Sequence, residues 1–177
     1  MDLVRSLSEP GLDARDIEII TDVRDNGWHV VRVAEEDGAP GYAHSIGLCH
    51  NFSHPEVVVF GLSDDVLAGV IDDIGDDVRS GQRFLPGSVH GGLLEGVECL
   101  FKPVHRRWYA PFLSDCDWFY CGGSFPVVQC VWPDRAGRFP WDVGFDDEWK
   151  SLQPLLFREH PEAARATTLL AALERDE

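Results

Sequence analysis

The sequence predicts an α+β domain with a mostly antiparallel sheet. Three observations lead there. Six short runs rich in β-branched and aromatic residues are separated by turn signals. Runs that follow one another directly outnumber those joined through a helical pattern, which favours antiparallel neighbours over helical crossovers. At 177 residues and 44% hydrophobic side chains, the chain has the size and apolar content of one domain with a real core. Six such strands can also curl into a small barrel.

Residues 11–28, "GLDARDIEIITDVRDNGW", read as an opening helix. Asp13 caps it, Ile17, Ile20 and Val23 fall at helical spacing, and Asn26-Gly27 stops it. "WHVVRVAEE" is a strand, "EDGAPG" a turn, and "YAHSIGL" a second strand antiparallel to the first. The loop "CHNFSHP" leads to "EVVVFGL", short and apolar enough to be central. Ser63 then caps a helix in which Val66, Leu67, Val70, Ile71, Ile74 and Val78 form one apolar stripe. Asp64 and Asp65 suit its first turn, and Gly81 ends it. The Gly-rich stretch that follows holds a short strand at Gln82–Leu85, and "VECLFKPV" is another strand. Aromatic spacing predicts a helix over Tyr109–Tyr120, closed by Gly122-Gly123. "FPVVQCVWPD" is the last strand, and residues 135–149 form an ordered loop pinned by Trp141 and Phe145. There is no repeat or linker, so 1–177 is one domain, with an N-terminal extension over 1–12 and a C-terminal docking helix over 161–175.

The net charge of −16 disfavours nucleic acid and anionic membrane surfaces. It suits either plain solubility or a basic protein partner. No apolar run approaches the roughly 20 residues of a membrane helix, and the acidic N-terminus lacks a signal peptide's apolar core, so the expected location is cytoplasmic. The five cysteines are scattered and odd in number, which suits reduced, buried thiols rather than a disulfide framework.

Residues 41–62 crowd His44, His50, His54, Cys49, Ser45 and Glu56 between two apolar runs. Strand alternation puts Tyr42, His44 and Ile46 on one face and Ala43, Ser45 and Gly47 on the other. The small face either admits another backbone closely or leaves room for a flat ligand. His44 either bonds to backbone in the core or lines a pocket. Pro55 forces an extended approach to the strand, so His54 and Glu56 either fix the loop or serve as acid and base in a cleft. No HExxH or compact Cys/His signature supports a metal site here. In the C-terminal half, Trp118, Phe119, Tyr120, Trp132, Phe139 and Trp141 either wall an aromatic pocket or belong to the core, and Gln129 in an apolar strand needs an amide partner if buried.

The order of Gly27-Trp28, "YAHSIGL", His54-Pro55-Glu56 with "VVVFGL", "PVVQCVWPD" and "GRFPW" resembles a bacterial domain-of-unknown-function family, number 4262, from about Ile17 to Trp149. That resemblance brings no catalytic residues with it. The layout of residues 41–67 is also similar to flavin-reductase-like split barrels, although the segment has no Arg or Lys to hold a flavin phosphate. That similarity implies a split-barrel-like β core.

The expected function is therefore binding of a small planar ligand or cofactor, of flavin or haem type, between the sheet and the C-terminal aromatics. Tyr42, His44 and Ser45 would line the pocket with His54 and Glu56 as catalytic acid and base, and Gln129, Trp132 and Trp141 would lie opposite. The alternative is an acidic interaction module, immunity- or antitoxin-like, that binds a basic protein.

Overall fold

A computed structural model describes residues 4–36 and 38–160. The predicted docking helix over 161–175 lies outside the described residues. Helix α1 spans Ala14–Asp25 and is followed by β1 (His29–Val33), β2 (Tyr42–Ile46), the short α2 (Leu48–Phe52), β3 (Glu56–Phe60) and α3 (Asp64–Arg79). Strands β4 (Val89–Leu94) and β5 (Val97–Pro103) come next, then α4 (Tyr109–Phe112), α5 (Ser114–Phe119) and β6 (Val127–Val131).

The six strands form one sheet in the order β1-β2-β3-β6-β5-β4. Every pairing is antiparallel except the central β3–β6 pair, which is parallel. The α+β, mostly antiparallel expectation holds. The barrel does not form, because β1 and β4 are opposite edges of an open sheet. Helices cover both faces instead. One face carries Ala43, Val57, Val59, Val128 and Cys130 against the α3 stripe. The other carries Ile46, Val58, Phe60 and Val127 against α1, α4 and α5. With both faces covered, β3 and β6 are buried along their whole length, which is why they read as apolar runs without alternation.

Helix α1 starts at a reciprocal capping box between Asp13 and Asp16. Its inward stripe is Ile19, Ile20 and Val23, while the expected Ile17 is exposed. In α3 the predicted stripe is buried except for Val66 at its exposed start. Ser63 flanks that helix in extended conformation, but its hydroxyl makes no capping bond. Three local expectations are corrected. The 49–55 loop contains α2, because Gly47 at φ +112° turns the chain sharply enough to begin a helical turn at once. Gln82–Leu85 is not a strand, because the Phe84 N–H is taken by the His54 ring rather than by a ladder; the strand of this stretch is β4. The helix over 109–120 is broken at Leu113, whose φ of −132° and ψ of 32° divide it into α4 and α5. Among the described residues no helix is long and apolar enough to cross a membrane.

Candidate functional site

Titratable side chains gather where β2 turns through α2 into β3. Pro55 delivers Glu56 to the first position of a fully buried strand, and Glu56 has no exposed surface. Its carboxyl accepts four hydrogen bonds. One oxygen takes the Ser45 hydroxyl at 2.5 Å; the other takes the backbone N–H groups of Gly47 at 3.0 Å and Cys49 at 2.9 Å, and the Tyr120 hydroxyl. Ser45 in turn accepts the Val57 N–H at 2.9 Å. Burial pushes the Glu56 carboxyl above the ordinary glutamate range, and the four hydrogen bonds pull the other way. The Gly47 and Cys49 N–H groups can only donate, so the oxygen they share is held as an acceptor. Burial first, and the neighbouring Glu56 charge second, push the Tyr120 phenol far above its usual range, so it acts as a donor.

Gly47 is required at this corner. Beyond its positive φ, a Cβ there would sit 2.8 Å from a Val23 methyl and 3.0 Å from the Gly27 carbonyl. Asn51 ties α2 to the end of α1 by donating to the Val23 and Gly27 carbonyls, both at 2.8 Å.

The histidines part company. His54 is buried; its Nε2 accepts the Phe84 N–H at 2.9 Å, so Nδ1 carries the proton and donates to the Pro55 carbonyl at 2.7 Å. Burial lowers its pKa, consistent with a neutral ring. His54 and Glu56 therefore have separate partners, and each ties a loop to the sheet. His44 lies on the α5 side with Nδ1 3.2 Å from the Ser45 carbonyl and 3.6 Å from the Cys116 sulfur. Burial pushes His44 down to about 4 and the Cys116 thiol well up, so the pair is a neutral imidazole beside a neutral thiol. Among the described residues, no three His, Cys, Asp or Glu side chains are placed to hold a metal ion.

The remaining candidates do not converge with these. Tyr42 packs on Phe60 and Phe112. Gln129 satisfies its amide with backbone, donating to Pro154 at 2.7 Å and accepting from Leu156 at 3.0 Å. Trp132 belongs to the α3-side core and donates to the Phe60 carbonyl at 2.8 Å. Trp141 stacks on Phe139, with the Lys102 ammonium 5.1 Å from its ring centre. The structure thus brings Ser45 and Glu56 together with Tyr120. It leaves Gln129, Trp132 and Trp141 elsewhere, and the small Ala43 face is closed by α3 rather than open to a ligand.

An open cleft of about 380 Å³ lies next to the carboxylate cage. One wall is the 4–7 segment, held by the Arg5 N–H on the Phe119 carbonyl at 2.9 Å and the Arg5 side chain on the Trp118 carbonyl at 3.2 Å. Ile20, Val23 and Arg24 of α1, His50 and Asn51 of α2, and Phe119 of α5 complete it. His50 is exposed and edge-on to Phe119, with ring centres 6.2 Å apart. Sequence reasoning missed Arg24, and it weighed Phe119 and Tyr120 as pocket wall or core without linking them to Glu56 or to α1. The signal was faint: a cation within an acidic helix, and two rings inside "DWFYC" that suited a pocket wall and the core equally.

The model of one protein family, described as a domain of unknown function (DUF4262), matches residues 22–146, well over half of the chain. The chain belongs to that family. No curated protein and no solved structure matches it. The DUF4262 match contains the whole carboxylate cage, from Ser45 to Tyr120, together with Arg24, His50 and Phe119. Ile20 and the 4–7 wall of the cleft precede the DUF4262 range.

Proposed function

We propose that this domain binds a small molecule in the cleft between the 4–7 segment, α1, α2 and α5. One observation carries the reading: a cavity of about 380 Å³, inside the usual ~300–1,000 Å³ of ligand pockets, opens beside a corner that a buried carboxylate holds rigid. His50 and Arg24 sit on exposed positions around an apolar floor of Ile20, Val23 and Phe119, so the cleft offers both polar groups and an apolar surface to a ligand. His54 and Glu56 have their polar atoms engaged by protein groups, which supports ligand binding over acid–base turnover by that pair. The test is a thermal-shift screen of small planar, apolar and charged molecules against the wild type and His50→Trp, which fills the cleft from an exposed position. A ligand at one hundred times its Kd adds about 2.7 kcal/mol of stability. The expected result is a rise of several degrees in Tm for the wild type and none for the variant. A screen in which no molecule shifts the wild type overturns the reading.

A second reading rests on α3. Asp64, Asp65, Asp72, Asp73, Asp76 and Asp77 are all exposed on this one helix of a chain with net charge −16, which suits a basic protein partner steered in by the field. Capture of a basic protein that weakens steeply with salt and is lost on Asp73→Lys/Asp77→Lys supports this reading; capture unchanged by those substitutions defeats it.

A further inference from the structure

Resting on the cleft reading above, we infer that the ligand is a small amphiphilic anion: a carboxylate or phosphate monoester on a compact apolar body. The chain has 31 acidic residues, about twice its 15 lysines and arginines, yet among the described residues no Asp or Glu lines the cleft, whereas Arg5, Arg24 and His50 do. In a molecule whose overall field repels anions, a cleft that two guanidinium groups and an imidazole face, with the acids Glu9 and Asp25 that pair the arginines outside its lining, runs against the background. The three groups have different work. Arg5 holds the wall, bonded to Glu9 at 2.7 Å and to the Trp118 carbonyl. Arg24 is half-exposed and, among the described residues, pairs with its neighbour Asp25 at 2.6 and 2.8 Å. An exposed pair of that kind is worth ~0–1 kcal/mol, so an incoming anion competes for the guanidinium at little cost. His50 stands across the opening on α2, which Asn51 clamps to α1. Beneath them Ile20, Val23 and Phe119, all buried core residues, present an apolar floor for the ligand body.

The experiment is an NMR titration of the full chain in 150 mM salt, where a Debye length of about 8 Å screens the net charge. The probes are phenylacetate, phenyl phosphate, the neutral phenylacetamide, and inorganic phosphate. The expected result is that the two aromatic anions shift the amide signals of His50 and Phe119 and bind at least tenfold tighter than phenylacetamide or inorganic phosphate. Arg24→Gln, on an exposed position, weakens the anions about tenfold and leaves phenylacetamide unchanged. Asp25→Asn, which removes the competing carboxylate, tightens them. Equal binding of phenylacetate and phenylacetamide, indifferent to Arg24→Gln, overturns the anion assignment while leaving a cleft that binds small molecules. Inorganic phosphate binding as tightly as phenyl phosphate overturns the amphiphile. If none of the probes touches the cleft but other molecules in the thermal screen do, this inference fails alone; if nothing in either experiment binds, both fail.

Discussion

Under α3, the sheet meets a single amphipathic helix through Ala43, Val57, Val59, Leu67, Val70, Ile71 and Ile74, all but closed to solvent. Across the sheet the same strands present His44 and Glu56 among Ile46, Val58 and Phe60, and three helices of 12, 4 and 6 residues cover them. The first face is held by shape and apolar area, with one long element in one register. The second is held together by a polar centre. Short helices such as α4 and α5 have little intrinsic stability, and α2 has only 5 residues. Glu56 compensates by binding β2, the start of α2 and the Tyr120 hydroxyl at the end of α5 through one carboxyl group. A buried polar group of this kind strengthens a fold only while every partner is in place.

The largest break in that contrast comes from Glu56→Leu. It removes the buried acceptor of the Ser45 and Tyr120 hydroxyls and of the Gly47 N–H. Each orphaned buried donor costs ~1–3 kcal/mol and the costs are not additive, so a total of about 5 kcal/mol is expected, against a whole-domain stability of about 5–15 kcal/mol. Urea denaturation measures it. Glu56→Gln keeps an acceptor in the cage and loses clearly less. A Leu variant within about 1 kcal/mol of the wild type means that the carboxylate does not hold this face.

These two faces also differ in how well the sequence announced them. The α3 stripe was readable because apolar side chains at helical spacing have one economical use, and only the exposed Val66 departed from it. Strands β2, β3, β5 and β6 were readable for the same reason. The polar centre was half-readable. Pro55 marked the approach of His54 and Glu56 to a buried strand, but a carboxylate's partners are set by tertiary contact. Tyr120 lies 64 residues from Glu56, and two of the other donors are backbone groups that no side-chain pattern encodes. The expected pocket failed for a related reason: the alternation that put Gln129 and Trp132 in one strand run also sends them to opposite faces of a sheet that is covered on both sides.

The next effect concerns pH. His44 sits on the polar face with its pKa pushed down to about 4, chiefly by burial, against 6.5 when unfolded. The unfolded chain therefore binds the extra proton between pH 6.5 and 4, and the stability that the neutral ring contributes is lost as pH falls through that window. His44→Asn keeps a polar group near the Nδ1 position but cannot titrate. The stability advantage of the wild type over this variant is expected to shrink by about 2 kcal/mol between pH 7 and pH 5. His54 and Glu56, also displaced from their ordinary values, are common to both proteins and cancel in the difference. Parallel stability curves across that range would show that the His44 ring is no more costly to charge in the fold than in water.

The smallest effects sharpen the contrast from the α3 side, where two glycines in one helix are expected to answer the same substitution with opposite signs. At Gly75 an added Cβ would lie 2.2 Å from the Trp28 ring. That indole cannot easily withdraw. Its Nε1 donates to Asp72 at 3.0 Å, and the Arg79 guanidinium lies 4.4 Å from the ring centre. Gly75→Ala therefore overpacks a fixed contact at ~1–3 kcal/mol against the ~1 kcal/mol that alanine returns in helix propensity, for a net loss of up to about 2 kcal/mol. At Gly69, six residues earlier, nothing lies within 4 Å of the new methyl, so Gly69→Ala retains the propensity gain and stabilises the domain by ~0.5–1 kcal/mol. Chemical denaturation of the two variants, with unchanged m-values, reads the pair directly. If both stabilise, the α3 face has slack to give and is not close-packed against Trp28; if both destabilise, the helix is limited by something other than the methyl-sized space beside each glycine.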